Sequence, residues 1–135
     1  MYEIIEHTAD VGIKAYGKTP AEILREMSKG MFSLIVDLDT VRHEREEKIE
    51  VKGETYEELA FAYLSELLFL HDASRLVFSE FDVEVEKENG LFVLKALAKG
   101  EKIKNHKLKL LVKGVTYHML EINELTGYGT VIFDV

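Results

Sequence analysis

One stretch narrows the folds open to this chain more than any other: TYEELAFAYLSELLFLHDAS, residues 55–74. Thr55 followed by Glu58 is a capping box, so a helix starts there. From residue 59 to residue 70 the run is apolar almost all round, broken only by Ser65 and Glu66. A surface helix carries one apolar stripe and one polar face; this one has to be covered on more than one side. No stretch reaches the roughly 18 uninterrupted apolar residues of a membrane span, so the cover is protein. Glu66 in such surroundings calls for a partner or a nearby site, because an unpaired carboxylate is rarely buried.

Strands are available to supply the cover. Residues 2–5 are short and apolar, and residues 12–17 (GIKAYG) alternate with the two-residue period of a half-buried strand. A second capping box, Thr19 with Glu22, has Pro20 at the first helical position. Ile23, Leu24, Met27, Met31, Leu34 and Ile35 then form one stripe at helical spacing. Gly30 interrupts it at a cost of about 1 kcal/mol relative to Ala. Residues 48–52, 76–86, 91–99, 108–114, 115–122 and 130–135 read as further strands, with a hairpin turn at Asn89-Gly90. Two helices and about seven strands, the strands running in succession, predict an α+β fold with the helices covered by sheet. At 135 residues, 47% of them hydrophobic, the chain is one domain, 1–135, with a real core.

The absence of cysteine removes disulfides, thiolate zinc sites and cysteine nucleophiles. No basic region followed by an apolar one opens the chain, so the expected location is cytoplasmic. The net charge of -8 gives no long-range pull on nucleic acid; direct RNA binding needs a local basic patch. Nucleotide-binding glycine loops, GxSxG and HExxH are all missing.

What remains is polar residues at the ends of apolar strands. In HTADVG, Thr8 and Asp10 could cap a tight turn closed by Gly12, or Asp10 could be an oxygen ligand or an acid/base group at a strand mouth. In GVTYH, Thr116 and His118 share one strand face; a buried tyrosine with a satisfied histidine is as open a reading as a site. At the end, FDV places Asp134 and the main-chain oxygens of Val135 on an apolar strand. If that strand lies beside the first, these groups meet Asp10, and anionic groups gathered so closely need a cation. An all-oxygen set favours a hard ion, Ca²⁺ or Mg²⁺, over zinc. His71-Asp72 fits an ordinary helix C-terminus, with His near the negative end of the dipole. His106 lies in the one basic stretch, with Lys102, Lys104, Lys107 and Lys109, and reads as a solvated loop before a phosphate contact. His43, in a run of both charges, reads as solvated.

HTADVGIKAYGKTPAEI, GM at 30–31, ELLFLHD at 66–72, VKGVTYH at 112–118 and the closing FDV together resemble the archease family, in order along the whole chain. The resemblance implies a three-layer β/α/β sandwich. It implies an accessory protein, not an enzyme: an activator of RtcB-type tRNA-splicing RNA ligases that promotes ligase guanylylation and multiple turnover. It also implies a divalent metal, Ca²⁺ first with Mg²⁺ or Mn²⁺ as alternatives, held by Asp10, Asp134 and the main-chain oxygens of Val135. His7, His118, Glu66 and Asp72 are then candidates to stand behind the metal or to face the partner. Contact with tRNA is indirect or weak. The chain departs from the family pattern at KIKNHK, where many archeases have an acidic, proline-containing approach to the histidine. It also has Gly114 where Ala is common, a change expected to be harmless. Two other classes stay open: a metal-dependent phosphoester hydrolase using Asp10 and His118, and an RNA-binding or chaperone-like module using residues 102–109.

Overall fold

The computed structural model describes residues 1–6 and 10–135. Both capped helices form where their caps place them. α1 (Pro20–Ile35) starts with Thr19 accepting from the Glu22 N–H, and α2 (Tyr56–Ser74) with Thr55 accepting from the Glu58 N–H. Each cap satisfies an N–H that the first turn leaves without a partner. The six stripe residues of α1 are all buried. Gly30 earns its place in the helix, because a Cβ there would press on Ile13 at 2.8 Å.

Among the described residues eight strands make two sheets. β1 (Tyr2–Glu6), β2 (Asp10–Tyr16), β8 (Tyr128–Asp134) and β6 (Gly114–Val115) run side by side in that order, and β7 (Glu121–Asn123) also pairs with β8. β3 (Arg45–Gly53), β5 (Leu91–Lys102) and β4 (Leu76–Glu88) form the second sheet, with β5 in the middle. Asn89 and Gly90, at φ of 50° and 82°, turn β4 into β5, as an Asn-Gly hairpin requires. α1 packs on β2 and β4. α2 packs on β3 and β5 and also touches β6 and β7. The helices are thus the middle layer between two sheets, around one core of apolar side chains. Among the described residues no helix is long and apolar enough to cross a membrane.

α2 is covered on more than one side, as its composition predicts, but two other expectations fail. The helix keeps a narrow stripe in water, through Glu58, Glu66, Phe69 and Asp72. Glu66 is therefore exposed and needs no buried partner. Residues 108–114 and 115–122 do not form two long strands; only β6 and β7 pair there, around a turn at 118–119. The amides of the first segment bond to scattered acceptors, Lys109 N–H to Ile35 O and Lys113 N–H to Asp134 O, which no continuous ladder can use.

Among the described residues one buried side-chain group is left without a partner. The Tyr63 hydroxyl, at the centre of α2, makes no hydrogen bond, and burial pushes its proton affinity well above the ordinary phenol range. Ser28, which works against that shift, spends its own proton on Arg25 O. Tyr63→Phe removes a desolvated orphan without opening a cavity. We expect it to leave stability unchanged or raise it by about 1 kcal/mol. A lower urea midpoint than wild type would contradict this.

Candidate metal centre

β2 and β8 pair antiparallel, and their register sets Asp10 directly opposite Asp134. On these strands Ile13, Ala15, Val131 and Phe133 point into the core, so residues of even number face outward. Asp10 and Asp134 are therefore neighbours on the outer face, and directly opposite residues have Cβ atoms roughly 4.5–5.5 Å apart. The Asp134 main chain is held from both flanks, by β2 and by β6, whose Gly114 is also its partner; the Lys113 N–H donates to Asp134 O at 2.7 Å. Val135 follows, half-buried, with its side chain packed against the core.

Among the described residues neither aspartate forms an ion pair within 4.0 Å. Like charges directly opposite each other on a sheet are destabilising. Two carboxylates side by side fit a hard divalent cation, and no three His, Asp or Glu side chains cluster to hold one among the described residues. Any further ligand from this end of β8 has to be a main-chain oxygen.

The other candidates sit apart from the pair. His7 and Thr8 lie outside the described residues. Gly12 closes no turn. It lies within β2, where a Cβ would meet Ile132 Cδ1 at 2.6 Å and Val131 O at 2.9 Å. His118 is exposed in the turn after β6, beside Met119 at φ +57°, and does not share a strand face with Thr116. Thr116 donates through both N–H and hydroxyl to Ile132 O. Glu66 and Asp72 are exposed on α2. His71 is buried, with Nδ1 2.8 Å from Leu76 O and its ring edge-on to Phe32, so it fastens the end of α2 to the start of β4.

Two clusters were hidden in the sequence. His106 is not solvated: its side chain is 5% exposed and its Nε2 lies 2.9 Å from Glu101 Oε2, which is itself buried. The only local signal is a Glu and a His five residues apart across a bend. The second is His43, whose Nε2 lies 2.9 Å from Ser79 Oγ and whose Nδ1 lies 3.3 Å from Glu80. The order imitates a nucleophile, a base and an orienting acid. The Ser79 hydroxyl also reaches Val41 O at 3.3 Å, so a backbone acceptor competes with the imidazole for its proton. These contacts tie β4 to the loop before β3.

The comparisons with known proteins agree with one another. A family model described as the Archease protein family (MTH1598/TM1083) matches residues 2–135. A protein named archease from Pyrococcus furiosus is 40% identical over 126 residues, covering 92% of this chain and 89% of that one. The archease of Methanosarcina mazei is 38% identical over 129 residues, covering 93% and 88%. The solution structure of Methanobacterium thermoautotrophicum protein 1598 superposes with a TM-score of 0.87 at 32% identity, covering 99% of this chain and 98% of that one.

Proposed function

The chain belongs to the archease family, and on that premise we propose that it is an accessory protein of an RtcB-type tRNA-splicing RNA ligase. It promotes formation of the ligase–guanylate intermediate and repeated turnover, and it carries out no reaction of its own. It works in the cytoplasm, and it meets tRNA through the ligase. Asp10, Asp134 and the main-chain oxygens of Val135 hold a divalent cation, Ca²⁺ before Mg²⁺ or Mn²⁺. The observation that supports this site is the cross-strand pairing of Asp10 with Asp134, two carboxylates that form no ion pair among the described residues. A bound cation supplies positive charge at an otherwise anionic edge, where phosphate oxygens of a nucleotide can be met. The chain's own part is to hold two carboxylates in fixed register on the rigid end of a sheet.

Guanylylation of a purified RtcB-type ligase, followed with radiolabelled GTP, tests the reading. Wild-type protein is expected to raise the ligase–guanylate yield, and Asp10→Ala to lose most of that stimulation while melting at a similar temperature. No stimulation by the wild type would overturn the ligase role. Equal stimulation by the variant would overturn the site alone.

A further inference from the structure

A depression of about 540 Å³ is lined mostly by charged side chains. Its lining includes Arg42, Glu44, Glu101, Lys104, Asn105 and Lys107. Glu101 organises it from below. Its Oε2 accepts from the Arg42 N–H at 2.7 Å and from His106 at 2.9 Å, and its Oε1 lies 3.4 Å from Lys104 Nζ. The Lys104 N–H donates to His106 Nδ1 at 3.0 Å, so the ring proton sits on Nε2 and points at Glu101. These contacts, the Arg42 N–H first, hold the Glu101 carboxyl below its ordinary range, so it stays an anion with every bond spoken for.

The cations above it are less completely used. Lys104 pairs with Glu44 at 2.9 Å on the exposed rim. Arg42 and Lys107 have no carboxylate within 4.0 Å among the described residues. The lining thus holds three cationic and two anionic side chains, one positive charge in excess, on a chain whose net charge is -8. A guanidinium, an ammonium and a neutral amide lining one depression suit tetrahedral oxyanions, and a solvated face would not need a buried carboxylate–imidazole pair beneath it.

We propose that this depression is a phosphate-binding site: Arg42 and Lys107 take the phosphate oxygens, Asn105 adds a neutral donor, and Glu101 with His106 position the two loops that carry them. The phosphate belongs to a nucleotide-like small molecule or to an RNA backbone. The site is independent of the ligase reading.

Amide NMR titrations of the full chain test it, one with inorganic pyrophosphate and one with a short single-stranded RNA, each against acetate at matched ionic strength. We expect shifts confined to residues 40–44 and 101–107 that acetate does not produce. The double variant Arg42→Ala/Lys107→Ala should keep the wild-type melting temperature and bind roughly tenfold more weakly. Saturation by pyrophosphate supports the site with a small-molecule source; tighter binding of RNA through the same residues supports it with a backbone source. Shifts located elsewhere, or equal affinity of wild type and double variant, would overturn the proposal.

Discussion

Gly100→Ala is expected to destabilise the fold by about 3 kcal/mol or more, a large share of the 5–15 kcal/mol that holds a domain of this kind together. Gly100 lies in β5 opposite Phe78, beside an irregularity in β4 where the pairing skips Ser79. A Cβ at Gly100 would run into Val77 O and stand 2.7 Å from Phe78 Cα. Both obstacles are backbone, so no side chain can swing away. The bulge would have to move, and the core depends on it. In a regular strand Phe78 and Phe81 would face opposite sides. The extra residue lets both turn inward onto Phe32, at ring separations of 5.4 and 5.9 Å. Urea denaturation reads the effect as a lower midpoint. Gly114→Ala is the control: a Cβ there meets nothing within 4 Å, so the substitution should cost little. If the two variants unfold at the same midpoint, the bulge is not the constraint described here.

Asp134→Asn should reverse its effect on stability when a divalent cation is added. Without the ion, the variant removes one of two carboxylates that stand directly opposite, a repulsion worth roughly 0.2–1 kcal/mol between cross-strand neighbours. The variant should then melt slightly above wild type. With Ca²⁺ at a hundred times its dissociation constant, wild type gains about 2.7 kcal/mol by mass action. For a chain of this size that is roughly 8 °C in melting temperature. The variant should gain little, and chelation should return wild type to the lower value. Equal gains in both proteins would remove Asp134 from the site. A variant less stable than wild type without the ion would mean the pair does not repel.

Much of the framework was readable because its causes are local. A cap, the N–H it satisfies and the first stripe residue lie within one helical turn, so both helices could be placed from Thr19 and Thr55. The β4–β5 hairpin follows from Asn89-Gly90 and the alternation on either side. The segment from 108 to 122 was misread for the opposite reason. Its apolar residues have strand-like spacing, but whether a strand forms depends on which acceptors face it, and the end of α1 and the edge of β8 offer only isolated ones. Glu66 was misread as buried because an apolar composition around a helix does not say where the sheets stop. The β4 bulge had a trace in the sequence, the change of phase between Phe78 and Phe81, but the glycine that accommodates it is on another strand.

The sequence alone therefore determined the capped helices, the hairpin, the α+β class and the aspartates with the chemistry to hold a cation. These rest on interactions that span a few residues and on hydrophobic periodicity. Only the tertiary structure decided that Asp10 and Asp134, from opposite ends of the chain, stand across from each other, and that Glu101 and His106 meet beneath a basic depression. Strand register is set by packing both sheets against the helices together, because a slip of one residue would turn every inward side chain of β8 to the outside.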